Sequence, residues 1–426
     1  MIVKFYLPFV IIILLLYMIK RNKILFNEVF WLLFWWGLVV GSTVFSGIYY
    51  GYPIKNSVYI YIGISIFCFL SGRLFGMKVS LKPIIISDCE IKKLNVFTWA
   101  GVIGSLLFIF DYLRLNGIGS EKSTYEISII GSVGMLLIPI LLVVGLYRFG
   151  YRRAYKNKID VISICLLGGY VLPGILNSGR ESMVMLIIGV IAMNAYVNSI
   201  RGKDMITTYK ELTRKGKTKL LVGIAGFIGI YNIFTMTLSR FTDNEINIFL
   251  YRNIVPGYIM EEANKLGNFK FIYYTALSYF GHQVAFLQSI LNDYSGPYLF
   301  GMYELNIISR RLPDFLELDY KLGSTALNML AGGRFKGDWQ TVLGSLIVDF
   351  GKILTPAICA FLGYFVGKSR KYFERDQSIT RAVLIAMFCL SMTSTVQMGP
   401  FYNTSIYGAY IWWFIIFRLK IGVRNK

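Results

Sequence analysis

The chain has 426 residues, 55% of them hydrophobic and 16% charged, with a mean hydropathy of +0.57, which excludes an ordinary soluble domain. The formal net charge of +21 raises nucleic acid as a partner. The Lys and Arg residues, however, sit in short loops between apolar runs, the arrangement of the positive-inside rule, so membrane topology accounts for the charge and no nucleic acid is expected.

Taken in chain order, the apolar runs fall at residues 3–19, 29–48, 57–73, 96–114, 128–147, 160–177, 182–198, 219–238, 341–367, 382–398 and 405–419. Each is close to the roughly 20 residues a helix needs to cross hydrocarbon. The fold class is therefore an all-α polytopic membrane protein with about eleven transmembrane helices. The first run is read as a retained helix, because Lys20, Arg21 and Lys23 follow it and only Lys4 precedes it.

Orientation follows from alternate loops. The loops holding Lys20, Arg73, Lys78, Lys92, Arg148, Arg152, Lys156, Arg201, Lys210, Lys217, Lys368, Arg375 and Arg381 are rich in basic residues, whereas the intervening short loops hold only Lys55, Lys122 and Arg180. The basic loops are expected in the cytoplasm, with the tail carrying Arg424 and Lys426, and the N-terminus outside. The chain then divides into residues 1–239 with helices 1 to 8, a large external, substrate-facing loop at 240–340, and residues 341–426 with helices 9 to 11 and a cytoplasmic tail.

Residues 271–291 inside that loop contain no Asp, Glu, Lys or Arg. A further crossing there would put the basic loop at 368–381 outside, so the segment is expected as a helix lying in the membrane interface or dipping into it. Thr275, Ser278, His282 and Ser289 share one helical face and form a polar stripe directed at a wet cavity. Gly363 and Gly367 make a small-xxx-small face, a mark of close helix packing. None of the five cysteines lies in 240–340, so no disulfide framework is implied there.

The chain has no GxxxxGK loop, HExxH, GxSxG or CxxC pair, so ATP-driven transport, zinc hydrolysis and serine-hydrolase chemistry lack their marks. The outer loop must work with Arg, His and carboxylates. Arg180 stands in the short outer turn 177–181. It either snorkels at the headgroup level, paired with Glu181, or grips a diphosphate with its planar, permanently charged fork. Arg240 and Arg252 open the large loop and Arg310 and Arg311 form a later pair; each alone reads as a solvated or salt-bridged side chain, and the group together as an expected anion site. His282 is the only histidine; it reads either as a satisfied structural residue or as a base whose imidazole accepts a proton from a sugar hydroxyl. Asp243, Glu245, Asp314, Glu317, Asp319 and Asp338 are rival bases, and spacing does not choose among them. Asp111 with Arg114 and Asp349 with Lys352 are read as neutralised structural pairs at i,i+3.

The turn LNSGRESMVMLIIGV, the large late outer loop and the following GDWQTVLGSLIVDFGKI segment resemble the Wzy-type oligosaccharide repeat-unit polymerases of O-antigen and capsule synthesis. The resemblance covers most of the chain but is diffuse. It implies a metal-independent glycosyltransferase, without cofactor, in the bacterial cytoplasmic membrane. Its substrates would be undecaprenyl-diphosphate-linked oligosaccharides, and its partners membrane lipid, a flippase and a chain-length regulator. Carried over, Arg180 and Arg240 match the family's outer Arg positions, and His282 becomes the base by analogy with the related glycan ligases. Arg252, Arg310, Arg311 and Asp338 are then substrate-binding candidates. One departure stands out: Arg240 and Gly257 are separated by sixteen residues where some members have fifteen.

Two rivals remain. A flippase for the same lipid-linked units would have short loops and charges inside the bundle. A metal-dependent glycosyltransferase using a polyprenyl-phosphate sugar would carry acidic ligands in its first outer loop, where residues 49–56 hold no Asp or Glu.

Overall fold

The computed structural model describes residues 3–21, 24, 26–46, 54–79, 88–116, 128–158, 160–176, 181–203, 265, 270–305, 341–397 and 404–419. Among them every regular element is helical. The helices are α1 (Val3–Arg21), α2 (Glu28–Ser46), α3 (Asn56–Lys78), α4 (Asn95–Asn116), α5 (Ile129–Leu137), α6 (Pro139–Lys156), α7 (Val161–Leu176), α8 (Glu181–Ile200), α9 (Lys270–Asp293), α10 (Val342–Asp376), α11 (Ile379–Ser394) and α12 (Thr404–Phe417). A 3₁₀ turn, Ile91–Leu94, leads into α4.

Ten of the eleven predicted apolar runs coincide with these helices, and the run at 219–238 lies outside the described residues. Five described stretches are long and apolar enough to cross a membrane: Asn56–Lys78, Ile91–Leu115, Ile129–Lys156, Ser182–Ile200 and Val342–Asp376. Shorter apolar helices accompany them. The surface is apolar: Phe67, Trp99, Ile164, Ile353 and Phe361 are exposed, while Glu28, Asp111, Arg148, Asp349, Arg370 and Arg381 are buried. In water such a surface would aggregate, and in lipid it is the solvated face.

Local sequence explains the helix starts. Asn27 caps α2, its Oδ1 accepting from the backbone N–H of Val29 and of Phe30, both at 3.0 Å. Thr341 and Ser378 cap α10 and α11 in the same way. The run predicted as one helix over 128–147 forms a single apolar span, Ile129–Lys156, in which α5 passes into α6 through Ile138, itself helical at φ −52° and ψ −41°, and Pro139 lacks the N–H that would bond back into α5.

The tightest pair is α3 with α10. A Cβ at Gly72 would run into the Ala360 carbonyl, at Gly76 into that of Tyr364, at Gly363 into that of Phe69 and at Gly367 into that of Arg73. Gly363 and Gly367 are thus the packing face their spacing predicts, and Gly72 and Gly76 supply its other half.

Two expectations are corrected. Asp349 does not pair with Lys352, because Gly351 interrupts α10 between them with φ 82° and ψ 167°, so the two are not one helical turn apart. Residues 271–291 form most of the 24-residue α9. Residues 283–288 of α9 are buried in unbroken succession. Six consecutive residues face every side of a helix, so this part is enclosed, packed against α2, α3 and α10, rather than laid across a surface. Its enclosure is a tertiary fact that composition does not carry.

Candidate functional site

Two polar constellations stand at opposite ends of the bundle. One lies where the basic residues of α3, α6 and α10 gather. The other lies at the far end, beside the first turn of α3.

At the far end, the break at Gly351 separates residues 342–350 from residues 352–376. A broken helix exposes carbonyls that hydrocarbon cannot satisfy, so protein must do so. The segment after α9 does it here. Leu299 N–H donates to the Val348 carbonyl at 3.3 Å and Phe300 N–H to the Asp349 carbonyl at 2.9 Å. Across the break, the Tyr61 hydroxyl donates to the Lys352 carbonyl at 2.8 Å.

The Asp349 carboxylate returns the bond. Its two oxygens accept from the backbone N–H of Tyr303 at 2.8 Å and of Glu304 at 3.0 Å, and Asp349 is wholly buried. Residues 301–305 form a single turn, with Leu305 N–H donating to the Gly301 carbonyl at 2.9 Å. The carboxylate caps that turn from a different element, satisfying N–H groups the turn cannot. With both oxygens engaged and no exposure, it is not placed to take a substrate proton. It fixes the path of the chain at Tyr303 and Glu304.

Aromatic side chains surround the break. The Tyr298 ring lies where a side chain at Gly351 would go, with ring carbons 3.2 Å from the position of a Cβ. The Tyr294 hydroxyl donates to the Pro297 carbonyl, and burial, then the Asp349 charge, push that phenol up to about 12. Phe300 has a left-handed backbone, φ 50°, and its side chain is 79% exposed. Gln288 on α9 ties this region to α3, its Oε1 accepting from the Lys55 N–H at 2.6 Å.

At the basic end, Glu28 in the first turn of α2 is fully buried. Arg73 donates to its Oε1 from Nη2 at 2.6 Å and from Nε at 2.8 Å, and the Tyr196 hydroxyl donates to its Oε2 at 2.8 Å. The Arg370 guanidinium lies over the Tyr196 ring, 5.1 Å from its centroid, and its Nε donates to Glu374 at 2.8 Å. One carboxylate thus binds α2, α3 and α8, with α10 stacked against the same tyrosine. An apolar cleft opens one turn deeper on α2 and α3, lined by Leu32, Trp36, Phe69, Leu346 and Leu362. Asp111 pairs with Arg114 at 3.1 Å as its spacing predicts, and also accepts from the Ser128 N–H at 2.9 Å, which locks α4 to the start of α5.

Of the sequence-predicted site residues, Arg180, Arg240, Arg252, Arg310, Arg311 and Asp338 lie outside the described residues, as do the acidic rivals at 243, 245, 314, 317 and 319. His282 is carried by α9, with its side chain outside the described set, as are those of Thr275 and Ser278. Glu28, Tyr196 and the capping role of Asp349 escaped sequence reasoning. For Glu28 a signal existed: Asn27-Glu28 directly before an apolar run is a helix start with an acid in its first turn. For Asp349 none did, because its partners are backbone groups more than forty positions away. No family model matches the chain, and neither a characterised protein nor a solved structure is similar to it.

Proposed function

We propose that the chain is a polymerase of lipid-linked oligosaccharide repeat units, acting at the outer face of a bacterial cytoplasmic membrane. In this reading the helices make about eleven crossings with the basic loops in the cytoplasm. The far end of the bundle, with Lys55, Gln288 and Gly351, then faces outward. The reaction joins two undecaprenyl-diphosphate-linked units. A hydroxyl of the acceptor sugar attacks the anomeric carbon of the donor glycan, the bond from that carbon to the diphosphate oxygen breaks, and undecaprenyl diphosphate leaves with the electron pair. The hydroxyl proton passes to a base, for which His282 is the candidate. Arg180, Arg240, Arg252, Arg310 and Arg311 offset the charge of the leaving diphosphate, a task for forked, permanently charged donors.

The observation that carries this reading is the interrupted helix at Gly351 with the 294–305 segment folded onto it. Irregular backbone at membrane depth recurs where substrate is handled, since elsewhere it costs several kcal/mol per unsatisfied group, of order 2–7. The same segment leads directly from α9, which carries His282, into residues 306–340, which carry Arg310, Arg311 and Asp338.

A flippase for the same units is the second reading, because discontinuous helices also recur in transporters. Deleting the protein separates the two. Single repeat units exported normally and left unpolymerised support the polymerase; units retained on the inner leaflet support the flippase and end the present reading.

A further inference from the structure

We infer that Gln283 is a substrate-binding residue, its buried carboxamide held for hydroxyl groups of the sugar on the lipid-linked unit. The inference rests on the polymerase reading and deepens it by naming a contact for the glycan.

α9 carries two buried glutamines five positions apart, and they differ. Gln288 is used by the fold: its Oε1 accepts from the Lys55 N–H at 2.6 Å and ties α9 to the start of α3. Gln283 is 0% exposed, yet neither its Nε2 nor its Oε1 has a hydrogen-bond partner. Such a group gives up its bonds to water on folding and regains none, whereas a Leu or Met of similar volume would carry no such cost. Between helices in lipid a glutamine ordinarily bonds across to a neighbour. A carboxamide left with both ends open marks a partner that comes from outside the fold.

The amide sets the chemistry of that partner. Its NH2 group donates and its carbonyl accepts, side by side and without charge. A sugar answers both, since each hydroxyl donates and accepts; a diphosphate answers only the donor, and a hydrocarbon chain answers neither. Along α9 the amide lies about 7.5 Å below Gln288, in the half of the bundle that holds Lys55 and the helix break.

Gly281 supplies room for entry. It is buried, but a Cβ there would meet no atom within 4 Å. Residues two apart on a helix point about 200° from one another, so this free space lies on the side of α9 opposite Gln283. α9 shifts into it as the sugar enters on the amide side, a small sliding of packed helices.

The test uses the full chain in lipid nanodiscs with undecaprenyl-diphosphate-linked repeat units purified from cells lacking the protein. Gln283→Leu is expected to raise the melting temperature of the ligand-free protein by about 2–4 °C, because an unpaired amide gives way to an apolar group. It is also expected to raise KM for the unit about tenfold, with kcat within about twofold. Gln283→Met, which keeps the length of the side chain, should give the same two changes. Lower stability in both variants means that the amide holds the fold, and overturns the inference. So does an unchanged KM beside a wild type that polymerises: water then meets the amide, and the reaction stands. A wild type that makes no polymer overturns the reaction, and the amide is judged on binding. Units that raise the melting temperature of the wild type but hardly that of Gln283→Leu uphold the contact; equal rises overturn it.

Discussion

Gly72 of α3 and Ala360 of α10 are in backbone contact: a methyl group on Gly72 would fall inside the van der Waals envelope of the Ala360 carbonyl. Nothing on a rotatable bond can move aside there. Gly72→Ala is therefore expected to destabilise the protein by about 3 kcal/mol, the upper end of overpacking costs, seen as a lowered melting temperature in detergent. Gly168→Ala on α7 is the control, since a Cβ there meets nothing within 4 Å. It should be neutral or add up to about 1 kcal/mol of helix stability.

Glu28 and Arg73 pair with little access to solvent, two guanidinium nitrogens meeting one carboxylate oxygen and their side chains 0% and 14% exposed. Removing one member leaves the other's charge buried without its partner. Glu28→Ala is expected to cost about 3–5 kcal/mol, and Tyr196→Phe about 1.5–3 kcal/mol for one hydrogen bond to a charged group. A double-mutant cycle on heat stability should show the two coupled, because both changes act on the same carboxylate.

Gly351 combines φ 82° with the Tyr298 ring in the space of a side chain. Gly351→Ala is expected to destabilise the break by about 1–3 kcal/mol from backbone strain alone, since this combination of angles is nearly confined to glycine. Adding Tyr298→Ala frees the space but not the backbone, so the double variant should stay less stable than Tyr298→Ala alone.

The orientation has a direct test in single-cysteine variants made after removing the native cysteines. Ser295→Cys lies at the far end and Lys156→Cys at the basic end, both at exposed positions. A membrane-impermeant thiol reagent applied to intact spheroplasts should label the first and spare the second, and the opposite pattern would invert the topology. Retained alone, Cys89 should react slowly even in opened membranes, since burial pushes its thiol up and withholds the reactive thiolate.

Arg180→Lys keeps the charge but loses the planar fork. With diphosphate held in two-point contact, the substitution should shorten surface polymer chains and lower activity about tenfold or more, as expected from losing one charge-assisted hydrogen bond of about 1.5–3 kcal/mol. Unchanged chain lengths on a gel of surface glycan would remove Arg180 from the site.

Helix positions were legible because a segment of about 20 apolar residues answers to the bilayer alone. The glycine face at Gly363 and Gly367 was legible for a related reason: a four-residue spacing of small residues marks one side of a helix, whatever packs on it. Asp349 was misread because i,i+3 spacing implies a pair only along an unbroken helix, and the break at Gly351 depends on the capping segment 299–305. The enclosure of α9 at 283–288 was not legible, because an uncharged apolar segment reads alike whether it lies on a surface, dips from it or sits inside a bundle.

The sequence by itself determined that this is a bundle of apolar helices in lipid, and where most of them begin and end, because hydropathy and capping are local. Only the tertiary structure decided which buried charges find partners, that α3 and α10 meet backbone to backbone, and that one carboxylate clamps the chain between α9 and the helix break. Those outcomes depend on groups far apart in the chain meeting in three dimensions, and no local pattern encodes the meeting.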